Sequence, residues 1–180
     1  MKVFINPGHA PNGNPDPGAV NGTTGLRESD VAATIGNLVK KYLEAAGCEC
    51  QLLQSDELYE IVNGSNNWDA DVFVSIHCNS AAAEEANGTE TFYFYTSKYG
   101  KMLATCINNQ LVNSLPLTDR GPKASVPGVN GLYVLHNTDA VAVLVETAFI
   151  SNFADEDLLR TKPDDFARAI ARGVTDYENL

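Results

Sequence analysis

The chain has 180 residues, with 12 basic against 23 acidic side chains, a net charge of −11 and a pI near 4.5, so it lacks the basic face that a nucleic-acid partner requires. Hydrophobic residues at 44% and charged residues at 19% are ordinary for a soluble globular protein, and no apolar run approaches the ~20 residues of a membrane span. The length fits one domain, able to bury roughly two-thirds of the surface its unfolded form exposes.

Residues 2–5 read as a short buried strand. The stretch that follows, NPGHAPNGNPDPGAVNGTTG, is so dense in glycine, proline and asparagine that it reads as a long loop. From 28 to 46 apolar residues recur at helical spacing (Val31, Ile35, Leu38, Val39, Tyr42, Leu43), and Gly47 supplies a stop. CECQLLQ is the next strand, and SDELYEIVNGSNNWDA is weakly helical with an expected break at Asn63 and Gly64. DVFVSIHCN carries the strongest strand signal to that point.

A loop over 80–87 leads to the strand GTETFYFYT, after which KYGKMLATCINNQLVNSL returns to helical period. PLTDRGPKASVPGVNG reads as a loop. Two short apolar runs, LYVLHN and AVAVLVETAFI, bring the strands to about six, and the tail from 155 to 180 is helical, divided at Pro163. This alternation predicts a single-domain α/β fold with a mostly parallel central sheet flanked by helices.

The cysteines, Cys48, Cys50, Cys78 and Cys106, are too few for a disulfide scaffold and form no C-x-x-C pair, so buried reduced thiols are expected. Cys78 should face away from its neighbour His77 across the sheet.

Polar groups stand at three strand ends: His9 after the first strand, His77 near the end of VSIHCNS, and Glu146 at the end of VAVLVE. Open α/β sheets bind ligands beyond the carboxyl ends of their strands, so these three can converge. Taken singly, each has an ordinary structural explanation. Together, two imidazoles and a carboxylate form the donor set of a catalytic zinc site with one open position. Glu28, at the start of the first helix, competes with Glu146 for the carboxylate position, and spacing alone does not choose between them.

The motifs NPGHAPNGNPDPGA, GLRESD, VSIHCNS, RGPK, LYVLHNTDAVAVLVETAFISNFADE and IARGVTDY occur in this order over nearly the whole chain. In that order they resemble the zinc-dependent N-acetylmuramoyl-L-alanine amidases of bacterial cell-wall remodelling and lysis. The resemblance implies that residues 1–180 form one amidase catalytic domain holding one zinc ion through His9, Glu28 and His77. It makes Glu146 the catalytic glutamate and assigns Asn79 to substrate or to support of the ligands. Arg120 also falls on a motif position, with a mainly structural part. The implied substrate is the amide between N-acetylmuramic acid and L-alanine in peptidoglycan.

The chain departs from the family pattern where Ala10 and Pro11 follow His9, where the segment around residues 55–68 lacks an arginine-bearing helix, and where His136 stands in place of a frequent arginine. None of these is a proposed ligand. The alternatives are a zinc peptidase cutting within the stem peptide and a catalytically silent wall-binding domain. The start MKVFIN has no secretory-signal pattern, so export within a longer precursor, or release through a phage holin, is expected. A separate wall-binding domain or an activator is compatible with the resemblance, and oligomeric state is left open.

Overall fold

In the computed structural model, which describes residues 1–180, six strands form one sheet in the order β2-β1-β3-β6-β4-β5. They are β1 (Lys2–Pro7), β2 (Glu49–Leu52), β3 (Val72–Asn79), β4 (Thr89–Phe94), β5 (Asp119–Ser125) and β6 (Val141–Phe149). β2, β1, β3 and β6 run parallel, while β4 lies antiparallel to β6 and carries β5 parallel to itself. The reversal follows from the connection: the chain passes from β3 to β4 through a loop without a crossover helix, so β4 starts at the end of the sheet where β3 stops.

The helices are α1 (Glu28–Ala45), α2 (Leu58–Asn67), α3 (Lys98–Ser114), α4 (Tyr133–Asn137), α5 (Phe153–Thr161) and α6 (Pro163–Glu178). Strand alternation divides the core into two layers. Val3, Ile5, Val72, Val74, Ile76, Val143 and Val145 face a large cluster with α1, α3 and α6. Phe4, Phe73, Ala142 and Leu144 face a smaller one with Ile61 and Val62 of α2 and Val134 and Leu135 of α4. The expected α/β fold with a mostly parallel, helix-flanked sheet is therefore the observed one.

Three local expectations need correction. Helix α2 runs unbroken through Asn63 and Gly64, because a Cβ at Gly64 would lie 3.1 Å from the Phe4 ring and glycine lets the helix settle onto it. The segment DRGPKAS is strand β5, not loop: as an edge strand it pairs only with β4 and tolerates Pro122 and Lys123. The run LYVLHN supplies no strand; after an extended Leu132 its remaining five residues are α4, whose apolar side covers the smaller core layer. The sheet thus has six strands, but its fifth is not the one the apolar pattern pointed to.

All four cysteines are free; Cys48 and Cys78 are buried, Cys50 and Cys106 half-buried. Cys78 faces the large core layer, away from His77, as alternation requires.

Candidate metal and catalytic site

At the carboxyl ends of β1 and β3 the sequence changes from apolar to polar. Gly8 continues the ladder by donating from its N–H to the Ile76 carbonyl, and the chain then turns at His9 with φ of 64°. A non-glycine residue in this left-handed region costs roughly 1–2 kcal/mol, held here by the surrounding loop. The Gln54 amide donates to the Gly8 carbonyl at 3.1 Å and to the Ser29 carbonyl at 3.0 Å, tying that turn to α1.

Glu28, the first residue of α1, is only 4% exposed and forms the centre of the cluster. One carboxylate oxygen meets His77 Nδ1 at 2.9 Å and the Cys78 N–H at 3.0 Å. The other meets His9 Nε2 at 3.1 Å and the Ala19 N–H at 2.8 Å. His9, Glu28 and His77 each offer a ligand atom, all within 4.8 Å of one another. Burial opposes the Glu28 charge, but hydrogen bonds from His77 and His9 outweigh it and hold the carboxyl well below the usual range.

The other ring nitrogen of His9, Nδ1, lies 2.7 Å from Asp16 Oδ2. Burial would lower the His9 pKa, but the hydrogen bonds to Glu28 and Asp16 raise it to about 9. Asp16 is in turn fixed by the Gly18 N–H at 2.9 Å. A carboxylate behind an imidazole sets the ring's tautomer and direction.

This donor set fits a divalent cation on several observations. Two imidazoles and a carboxylate are the ligands that zinc takes, and a cation can replace the protons now shared between Glu28 and the two rings. The backbone is pressed against these three side chains: a Cβ at Gly8 would lie 2.3 Å from the His77 ring, and one at Gly18 would lie 2.5 Å from the His9 ring and 2.7 Å from Glu28 Oε2. The cradle is built to the shape of these three side chains.

Glu146 pairs in register with His77 on the neighbouring strand. Its Oε2 is buried without a hydrogen-bond partner. Burial, together with the Glu28 and Glu90 charges and against the two histidines, raises its pKa to about 7. A cavity of about 260 Å³ opens beside His9 and His77, lined by Leu58, Ile61, Tyr133 and Leu144, with Asp16 and Asp56 at its border.

Of the residues singled out in the sequence, His9, Glu28, His77 and Glu146 come together. Asn79 and Arg120 do not join the cluster. Asn79 Nδ2 donates to Glu90 Oε1 at 2.8 Å and Arg120 Nε donates to Glu90 Oε2 at 3.0 Å, while the Arg120 guanidinium lies 4.9 Å from the centre of the Phe149 ring. Glu90 and Asp16 were not among the candidates. An acidic residue inside the strand GTETFYFYT was a usable signal for Glu90; Asp16, in a loop rich in polar turn residues, gave none. His136 Nε2 lies 2.9 Å from Ser125 Oγ, joining α4 to β5 away from the cluster.

Residues 3–176 match the family model described as N-acetylmuramoyl-L-alanine amidase. The amidase LytC of Bacillus subtilis is 36% identical over 183 residues, which cover 97% of this chain but 35% of LytC, so the chain spans about a third of that relative. Among solved structures, the amidase AmiC2 of Nostoc punctiforme superposes with a TM-score of 0.89 at 31% identity, covering 100% of this chain and 98% of that one. The CwlD amidase of Clostridioides difficile, solved in complex with the GerS lipoprotein, gives 0.85 at 26% identity over 99% and 98%. A match over almost every residue, with the same fold in full-length superposition, means that the chain belongs to the N-acetylmuramoyl-L-alanine amidase family.

Proposed function

We propose that residues 1–180 form the catalytic domain of a zinc-dependent amidase that hydrolyses the bond between the lactyl carboxyl of N-acetylmuramic acid and L-alanine in bacterial peptidoglycan. The observation that carries this reading is the convergence of His9, Glu28 and His77 beside a buried carboxylate oxygen, on Glu146, that has no partner of its own. His9 Nε2, His77 and the Glu28 carboxylate would hold one zinc ion, with Asp16 fixing the His9 ring. Bound zinc would polarise the scissile carbonyl and acidify a water molecule beside it.

The chain's own part in the chemistry falls to Glu146. With a pKa of about 7 its carboxylate takes a proton from the attacking water and, once protonated, gives it to the departing alanine nitrogen. The lactyl carboxylate and a free amine are the products. The cavity beside His9 and His77 gives the peptide side of the substrate an apolar wall of Leu58, Ile61, Tyr133 and Leu144.

Asn79 and Arg120 belong to this reading through Glu90: they hold its carboxylate in place next to Glu146, a supporting part rather than ligation. The chain acts at the bacterial cell wall, and the complex of the relative CwlD with GerS makes a protein partner part of the reading.

Digestion of purified peptidoglycan, with and without a chelator, followed by mass spectrometry tests this. Chelator-sensitive release of stem peptides beginning with L-alanine is the expected result. Cleavage inside the stem would replace it by a peptidase, and intact peptidoglycan in the presence of zinc by a silent wall-binding domain.

A further inference from the structure

A second cavity, of about 330 Å³, opens past the carboxyl ends of β3 and β6, where β6 leads from Glu146 directly into Ser151 and Phe153. Its walls are the loop before α1, the loop after β3 and the first turn of α5. They are cross-tied: Asn21 Nδ2 donates to the Ile150 carbonyl at 2.8 Å, Asn152 Nδ2 to the Glu84 carbonyl at 2.8 Å, and the Ala81 N–H to Ser151 Oγ at 3.0 Å. The cavity is therefore held open by bonds between its walls.

Two features of these walls have no internal explanation. Glu156 is 3% exposed, and its Oε1 lines up no hydrogen bond; the nearest cation, Arg160 Nε, stands at 4.0 Å, beyond hydrogen-bonding reach. Buried acceptors are ordinarily paired, so this oxygen awaits a donor. Phe153, at the lip, is 88% exposed, a large apolar ring with nothing upon it beside an otherwise polar cavity.

From this pairing we propose that the cavity binds a saccharide, with a pyranose face against Phe153 and ring hydroxyls donating to Glu156 and Glu84. Sugars combine an apolar C–H face with hydroxyl donors and acceptors, which is the combination the walls present. A hard cation would use the two carboxylates but leave Phe153 and most of the volume without a role. The inference deepens the proposed function and rests on it: the glycan strand of peptidoglycan is the saccharide, seated beside the site that cuts the stem from it.

The test is calorimetric titration with the neutral tetramer of N-acetylglucosamine, which contains no muramoyl–alanine bond and so reports on this site whether or not the chain turns over. Saturable binding is expected, weakened about tenfold by Phe153→Ala and by Glu156→Gln. Tyr99→Ala, which removes an equally bare aromatic on α3 (60% exposed), should leave it unchanged. Phe153 makes so little contact with the core that its truncation leaves the fold intact, and the Glu156 variant provides an independent reading. Absence of binding by the wild type, equal binding by both variants, or a calcium titration that depends on Glu156 while the sugar gives none, overturns the inference. Tetramer binding without peptidoglycan cleavage would instead sink the amidase reading and leave a saccharide site.

Discussion

Glu90 on β4 stands directly opposite Glu146 on β6, so two carboxylates share one face of the sheet next to the histidines. Their surroundings differ. Glu90 is held by Asn79 and Arg120, whereas Glu146 Oε2 is buried and without a partner. Burial first, and then the Glu28 and Glu90 charges, moves the Glu146 pKa to about 7. One carboxylate is thereby hydrogen-bonded on both oxygens, while its neighbour is left poised to exchange a proton near neutral pH.

Glu146→Gln removes that exchange while keeping shape and volume. The variant should retain zinc at about one ion per chain by metal analysis and lose turnover by about 100-fold or more. A zinc-loaded, fully active variant would exclude Glu146 as the proton carrier.

Glu90→Gln keeps one acceptor oxygen, for Asn79 or for Arg120, gives up the other, and deletes the charge facing Glu146. Since that charge is among the causes that raise the Glu146 pKa, the acid limb of the kcat profile should move to lower pH, by about half a unit or more. An unmoved limb with a lowered kcat would make Glu90 a purely structural support.

The same shift carries a stability signature in the metal-free chain. The Glu146 pKa is raised above its unfolded value, so its contribution is fully present below the ordinary carboxylate range and is lost as pH rises through about 7. Glu28 has the opposite sign: its carboxyl is depressed, and its contribution is present above the ordinary range and lost as pH falls below it. The two windows do not overlap. In thermal melts with chelator, the wild type should therefore lose stability relative to Glu146→Gln between about pH 5 and pH 7, and parallel curves would contradict the raised pKa.

What the sequence revealed depended on where the information lies. The central strands and long helices were legible because burial writes a period of 2 or 3.6 into the residues, and His9, His77 and Glu146 because unusual groups sit at strand ends; Glu28, at a helix start, was singled out over Glu146 as a proposed ligand only by the family resemblance. β5 was hidden because an edge strand buries little: Asp119, Arg120, Pro122 and Lys123 obey the rules for edges, not for cores. Run LYVLHN misled for the converse reason, since a short apolar stretch has no period long enough to tell strand from helix. Glu90 acquires meaning only from the cross-strand partner that pairing supplies, and Asp16 only from the fold of a loop that brings it to His9.

Metal binding should depend on pH through His9. In the metal-free chain its pKa of about 9 means that the ring holds a proton which zinc must displace. Apparent zinc affinity should rise by about tenfold per pH unit between pH 7 and 8 and level off above about 9. Calorimetry in buffers of different ionisation enthalpy should find about one proton released per zinc at pH 7. Asp16→Ala should weaken zinc binding by about 10-fold or more, through loss of the ring's anchor.

Gly18 offers the sharpest structural test, because two costs can be separated there. An alanine would adopt φ of +67° and place its Cβ 2.5 Å from the His9 ring and 2.7 Å from Glu28 Oε2. Gly25 has a φ of +74° with open space around it, and Gly22 has open space without the positive φ. Gly25→Ala should therefore cost about 1 kcal/mol in denaturant unfolding through backbone strain alone, and Gly22→Ala close to nothing. Both should bind zinc as the wild type does. Gly18→Ala carries the strain and also forces His9 or Glu28 out of place, so its zinc affinity should fall by about 10-fold or more while circular dichroism still reports a folded chain. If Gly18→Ala and Gly25→Ala bind zinc equally well, the close fit of the backbone around the ligands has no part in forming the metal site.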